Sequence, residues 1–313
     1  MSEPVGRHYG SPGAFRRALT DRLRTMAAEG RWTLPQLQRQ VAYDRLLQRL
    51  YLVDDGWVIK GATALMARDL GARATIDIDL YRMAVSRSVE ADVRVAAVRD
   101  VGDWFRFEIG PARPMEGGIR LPATAFVGAT LWTQFHVDVV ADGVRMTADP
   151  DPVPPLARLV MPDLSQENGY RAYPLVDHVA DKVVATFQRY GNRQLASTRF
   201  KDLIDLVTIT RGAAVDADQQ RAALTSEADR RSVMLPASFD VPDRSLWTPG
   251  YAAEARRSAV DVPATLDDAL DVVRHFLDPV LDGSATGVWD PASGRWARGG
   301  RGCLSTEAAG RHD

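Results

Sequence analysis

The chain has 313 residues, 45% of them apolar and 26% charged, with a net charge of −2. That is the profile of a globular protein long enough to bury a large core, in two units or one elaborated unit, and it argues against a generic nucleic-acid binder while leaving room for a local basic face. The single cysteine, Cys303, excludes a disulfide framework and a cysteine zinc site. With no signal-like start and no apolar run near 18 residues, a cytoplasmic protein without a membrane span is expected.

Two amphipathic helices open the chain. Phe15, Leu19, Leu23 and Met26 stripe the first, over 13–28, and Leu37, Val41, Leu46 and Leu50 stripe the second, over 34–51. Thr33 suits the cap of the second, with Pro35 in its first turn. Arg16, Arg17, Arg22, Arg24, Arg39, Arg45 and Arg49 fall on the outer faces. A solvated surface is the expectation there, and part of an RNA-binding face the other reading.

Trp57 to Arg82 then reads as strand, turn, short helix, turn, strand. The run Trp57-Val58-Ile59 stops at Gly61, Thr63 to Asp69 fits two helical turns, and Gly71 closes them. Ile76-Asp77-Ile78-Asp79-Leu80 alternates strictly. Ile76, Ile78 and Leu80 are therefore expected in a core, with Asp77 and Asp79 together on the opposite face. Two carboxylates one pleat apart repel each other, and a shared hard cation such as Mg²⁺ relieves that cost. The Gly61 turn, at a helix N-terminus, offers backbone N–H groups to an anion. Each half alone has a plain structural reading, a small-residue connection and a solvated strand face. In this order and spacing they suggest a phosphate cradle beside a metal pair.

Residues 87–101 read as a helix, and Trp104 to Ile109, part of 119–127 and Leu131 to Val140 as strands. In the last strand Phe135, Val137 and Val139 share one face and His136, Asp138 and Val140 the other. Asp138 is thus a polar residue at the end of an apolar strand, shortly before Asp142-Gly143. His136 reads as incidental. The Pro- and Asp-rich stretch 148–166 reads as a linker or irregular crossing. It sets the expected division: 1–150 for the N-terminal helices and the core, 151–297 for a helical domain that completes the active site, and 298–313 for a disordered tail.

In the second part, Leu175, Val179, Val183 and Phe187 stripe a helix over 175–190, with Lys182 off the stripe near Asp181. Phe200, Leu203, Leu206 and Val207 stripe another over 197–210, with Lys201, Asp202 and Asp205 on its other faces. Taken alone, the pair reads as salt-bridged amphipathic helices. Residues 216–235 and 263–277 read as helices, and Trp247 and Tyr251 as packing anchors in the Pro-punctuated stretch between. Of 39 basic residues only Lys60, Lys182 and Lys201 are lysine.

Lys60-Gly61-Ala62-Thr63-Ala64-Leu65 followed by Arg73-Ala74-Thr75-Ile76-Asp77-Ile78-Asp79 resembles the first motif of the AbiEii/AbiGii toxin family, in the DNA polymerase β superfamily of nucleotidyltransferases. Ala62 stands where that motif has a second glycine. Lys182, Arg189 and Arg193, then Arg199-Phe200-Lys201-Asp202-Leu203-Ile204-Asp205, are similar to the second motif. The resemblance covers roughly 55–300 and implies an α+β fold: a polymerase β-like core, with a small mixed sheet and flanking helices, plus a C-terminal helical domain. It also implies nucleotidyl transfer from an NTP with Mg²⁺ as cofactor. Asp77 and Asp79 would be the catalytic, metal-binding carboxylates, with Asp138 supplying a third from a neighbouring strand. Lys182 and Asp202 would be catalytic, and Lys60, Gly61, Thr63, Lys182, Arg193, Arg199 and Lys201 would surround the nucleotide. Asp205 stays open between functional and structural.

The partners so implied are the tRNA 3′ end, to which MenT-type members of the family add nucleotides, and a cognate antitoxin. Thr75 would be a regulatory phosphorylation site, its added charge opposing metal and NTP. Two other readings stay open: a nucleotidyltransferase that modifies a protein or a small molecule such as an antibiotic, and a non-catalytic nucleotide-binding or protein-interaction domain.

Overall fold

The computed structural model describes residues 7–71, 73–83, 88–115, 117–141, 146–164 and 169–297. Cys303, the tail expected at 298–313 and the Asp142-Gly143 turn lie outside the described residues.

Helices α1 (Pro12–Glu29) and α2 (Leu34–Tyr51) form where their stripes predict, and the stripes are buried except for Met26, which is partly so. The Gln36 side chain accepts from the Thr33 N–H at 2.8 Å, closing the first turn of α2. Not all the arginines face outward. Arg45 and Arg49 are 2% and 1% exposed. Arg49 donates to both oxygens of Asp103, at 2.6 and 3.0 Å, and to the carbonyls of Arg99 and Phe105. A helical pattern treats arginine as outward-facing, yet a carboxylate 54 residues away satisfies this guanidinium inside.

One mixed sheet carries the fold. Its strands are β1 (Trp57–Lys60), β2 (Asp77–Arg82), β3 (Phe105–Ile109), β4 (Arg113–Met115), β5 (Gly118–Val127), β6 (Thr130–Val140), β7 (Asp151–Val153) and β8 (Tyr170–Ala172). The order is β3-β5-β6-β2-β1-β8-β7, with β4 on β5. Strand β2 runs antiparallel to β1 and parallel to β6. The pleat sends Trp57, Ile59, Ile78, Leu80, Phe135, Val137 and Val139 into one core with α1, α2 and α4 (Val89–Ala97). Lys60, Asp77, Asp79, His136 and Asp138 take the opposite face. Ile76, expected in the core, is 58% exposed, because the strand begins one residue later, at Asp77.

The second unit is helical. Helices α5 (Leu175–Phe187), α6 (Phe200–Gly212), α7 (Ala217–Arg231), α8 (Arg244–Arg257) and α9 (Leu266–Leu281) surround their own core, beside a small ribbon of β9 (Val215–Asp216), β10 (Val288–Asp290) and β11 (Arg295–Ala297). The Pro-punctuated stretch forms α8 itself, with Pro249 inside it. Trp247 and Tyr251 are fully buried and donate to the carbonyls of Ser197 and Pro263. Leu65 of α3 (Gly61–Ala67) inserts into this second core, so the helix after the Gly61 turn joins the units.

Residues 148–164, the described part of the stretch, are not a free linker. Strand β7 pairs with β8, and Val153, Ala157, Met161 and Leu164 are buried in the first core. The Asp44 carboxylate pins the crossing by accepting from the N–H groups of Leu156 and Ala157 at 2.9 and 2.6 Å. The first core runs on to Ala172 and the second resumes at Val176. On that packing we place the division between them, rather than at 150.

Candidate active site

A cavity of about 460 Å³ separates the polar face of the sheet from the helical unit. Its sheet wall begins at Gly61, which turns the chain from β1 into α3 at φ +57°. Any Cβ there would overlap the Asp79 carboxylate, so glycine is needed for close approach as well as for the left-handed backbone. Register sets the rest: Lys60 lies opposite Asp79, Asp79 beside Asp138, and Asp77 beside His136.

The three carboxylates are not equivalent. Asp138 accepts from Arg120 of β5 through both oxygens, at 2.7 and 2.6 Å. Asp77 lies 3.2 Å from His136 Nδ1 and 4.0 Å from Arg120. The Asp79 carboxylate has no hydrogen bond or close ion pair among the described residues. Burial, and then the charges of Asp138 and Asp77, outweigh the opposing pull of Lys60 and Lys182 and push its carboxyl up to about 6. Surplus negative charge on hard oxygen donors fits a divalent cation. Mg²⁺ commonly takes one or two carboxylates and completes its shell with substrate phosphates and water. Among the described residues no group of three or more His, Cys, Asp or Glu forms a ready-made metal cage. Asp138, expected as a third ligand, is beside Asp79 but held by Arg120.

The helical wall is rich in charge, paired within itself and with cations of the sheet unit. Lys60 Nζ lies 3.0 Å from Asp181 of α5, donates to the Tyr81 hydroxyl at 2.5 Å, and sits over the rings of Tyr81 and Tyr173. Arg231 also binds Asp181. Burial pushes the Asp181 carboxyl up, but Lys60, Arg231 and Arg199 outweigh it and hold it far below the usual carboxylate range. One residue on, Lys182 donates to Asp202 at 2.8 Å and to Asp205 at 2.7 Å, while Arg199 donates to the other oxygen of Asp202. Burial acts against the Asp202 carboxylate, yet Lys182 and Arg199 hold it below its ordinary value. Arg73 reaches Asp205 at 3.2 Å from the loop before β2. Glu227 of α7 accepts from Arg230 and Arg231 at 2.5 Å each. Each of these cavity-lining cations, Lys60, Arg73, Lys182, Arg199, Arg230 and Arg231, therefore already has a carboxylate partner.

Of the residues singled out in the sequence, Lys60, Gly61, Asp79, Asp138, Lys182, Arg199 and Asp202 line the cavity, and Asp77 shares their sheet face beside it. Four do not line it. Thr63 is fully buried and donates to the Asp77 carbonyl at 3.3 Å, so it braces the strand. The Thr75 hydroxyl accepts from the Asp77 N–H at 3.2 Å and shapes the strand entry. Arg193 is exposed in the loop after α5. Lys201 is exposed in a neighbouring groove, because it sits about 100° around α6 from the inward-facing Asp202. Asp202 and Asp205, off the apolar stripe, are buried, and Asp205 joins Lys182 to Arg73.

The sequence reading missed Arg120, Tyr81, Asp181, Glu227, Arg230 and Arg231. Asp181 adjoins Lys182 and shares its helix. The α7 residues have the i,i+3 and i,i+4 spacing of ordinary surface pairs, so no local signal marked them. His178, also at the cavity, is 1% exposed, and neither ring nitrogen has a hydrogen-bond partner. Burial and the nearby Lys182, Arg68 and Lys60 hold it well below its usual range and keep it neutral.

Carboxylates on a central strand, faced across a cavity by Lys182 and the arginines of a helical unit, make the arrangement of a nucleotidyltransferase. The family model for the nucleotidyl transferase AbiEii toxin of type IV toxin–antitoxin systems matches residues 45–272, and the chain belongs to that family. No curated protein matches it. Among solved structures it is similar to MenT4, a nucleotidyltransferase toxin from Mycobacterium tuberculosis, at 16% identity and a TM-score of 0.51, over 85% of this chain and 89% of that one. It is also similar to JHP933 from Helicobacter pylori, at 13% identity and a TM-score of 0.49, over 79% of this chain and 94% of that one. At such identities the likeness is one of fold. None of the described helices is long and apolar enough to cross a membrane.

Proposed function

We propose that this toxin, with Mg²⁺ as cofactor, adds nucleotides from an NTP to the 3′ end of tRNA in the cytoplasm, and that a cognate antitoxin restrains it. The observation that carries the reading is the unpartnered Asp79, set by register between Lys60 and Asp138 and facing the Lys182–Asp202 pair across one cavity. The choice of tRNA rests on the MenT-like motifs at 60–79 and 182–205.

In the reaction the terminal acceptor oxygen bonds to the α-phosphorus while the bond to the leaving pyrophosphate breaks. Asp77 and Asp79 would hold the divalent cation, which when bound offsets phosphate charge and makes the acceptor hydroxyl easier to deprotonate. Arg120 fixes Asp138 against Asp79 and limits the repulsion on the sheet wall. The Gly61 turn faces the phosphates with backbone N–H groups. Lys60, Lys182 and Arg199 balance triphosphate charge, and the nucleotide competes for them with Asp181 and Asp202. A carboxylate held below its usual range is a weak base, so Asp202 acts by aiming Lys182 rather than by taking a proton. Phosphate on Thr75 would bring negative charge against Asp77 and silence the site.

The test is incubation with total tRNA, Mg²⁺ and each α-labelled NTP in turn, beside Asp77→Ala. Label entering tRNA from at least one NTP, and lost in the variant, is expected. Label entering only a protein or a small molecule would replace the tRNA reading.

A further inference from the structure

Beyond Arg73 lies a second groove, of about 270 Å³, between α2 and the strand-entry loop on one side and α6 and α8 on the other. Arg73 lines both the groove and the cavity, so one side chain separates them. Ala74 lies in the groove, three residues before Asp77, a span of at most about 11 Å of extended chain. Ile76, on that path, is 58% exposed.

The charges of groove and cavity differ in kind. Inside the cavity the lining cations are neutralised by carboxylates of the same site. In the groove, Lys201 is exposed and has no ion pair among the described residues. The Arg257 side chain is 75% exposed, and its partner is Glu254 at 3.4 Å, the only carboxylate lining the groove among the described residues. A pair whose cation is so exposed, at 3.4 Å, holds little energy and yields readily to a competing anion. The groove therefore offers cations on long stems, open to solvent, beside the catalytic strand.

We infer that this groove binds the backbone phosphates of the single-stranded 3′ end of the RNA acceptor and leads its terminal hydroxyl past Ile76 to Asp77 and Asp79. The inference rests on the tRNA reading above. Lys201 and Arg257 contact phosphates, so binding there is independent of sequence and sensitive to salt.

The experiment is tRNA binding by fluorescence anisotropy across a KCl series, for wild type, Lys201→Ala/Arg257→Ala, and Arg106→Ala/Arg295→Ala, an exposed control that lines neither the groove nor the cavity. The groove variant should bind tRNA roughly tenfold more weakly at low salt. Its log–log salt slope should be shallower by about 1.4, from two single-strand phosphate contacts at about 0.7 each. Its affinity for Mg·NTP should stay within twofold, and the control should match wild type. Wild type that binds tRNA while the groove variant matches it in affinity and slope overturns the inference and leaves the tRNA reading standing. Wild type with no tRNA affinity overturns both. If wild type labels a protein acceptor and the groove variant loses that labelling, the surface docks protein instead.

Discussion

The two walls of the cavity solve opposite electrostatic problems. On the helical wall, Lys182 with Asp202 and Asp205, and Arg231 with Asp181, cancel within hydrogen-bond distance, and Lys60 of β1 reaches across to the same Asp181. On the sheet wall, Arg120 answers Asp138, and Asp79 is left without a partner. The buried Arg49–Asp103 pair, remote from the cavity, resembles the helical wall and shows what a purely structural pairing looks like. The difference teaches that paired charge holds the units together, whereas unpaired charge marks where a cation and substrate are needed.

The strongest way to break the comparison is Asp79→Asn. Transfer should fall by roughly a thousandfold or more, as when a group that stabilises developing charge is removed. Without metal the variant should nevertheless be more stable than wild type at pH 7.5. The Asp79 carboxyl, raised to about 6, contributes stability fully below the usual carboxylate value of about 4 and loses it as the pH rises through 6. The stability gap should therefore open between about pH 4 and pH 6 and stay constant above, of order 2–3 kcal/mol, as thermal melts in chelator would show. The helical wall has the reverse sign. Asp202, held low, stabilises above the usual carboxylate range and loses that contribution only in stronger acid.

Lys182→Ala should be the most damaging change to stability. It strands two buried carboxylates and should cost about 3–5 kcal/mol in urea melts. An intermediate effect is expected of Gly61→Ala, which forces a side chain into a left-handed backbone at about 1–3 kcal/mol. Because its methyl displaces Asp79, activity should fall further than that stability loss alone explains. The smallest effect belongs to Arg120→Gln, whose side chain is 42% exposed. Solvent screening should keep its stability cost near or below about 1 kcal/mol, and retention of full activity would show that Asp138 needs no restraint.

Period-based signals made much of this legible. The alternation of β2 and β6 put Asp77, Asp79 and Asp138 on polar faces, and register then brought them together. The stripes of α1, α2, α5 and α6 located the helices and their buried sides. Where the reading failed, the reason was tertiary. Arg45 and Arg49 turn inward because Asp103 waits there, and no local pattern records a partner so distant in sequence. Thr63 lies in the phosphate-cradle motif yet faces Asp77 from behind. Arg230 and Arg231 look like surface residues of a polar helix until α7 packs on α5, which turns both to the cavity and carries Arg231 to Asp181. Lys201 and Asp202 are neighbours in one motif, but a helix sends them to different cavities.

The central claim is that Asp79 is the carboxylate that lacks a cation. The most direct test is calorimetric titration of Mg²⁺ with a non-hydrolysable NTP analogue into wild type, Asp79→Asn and Asp138→Asn, with and without chelator. Metal-dependent nucleotide binding should vanish in Asp79→Asn and survive, weakened, in Asp138→Asn, whose partner Arg120 remains. Unchanged metal-dependent binding in Asp79→Asn, with binding lost instead in Asp138→Asn, would contradict the account and move the cation site to the strand that Arg120 holds.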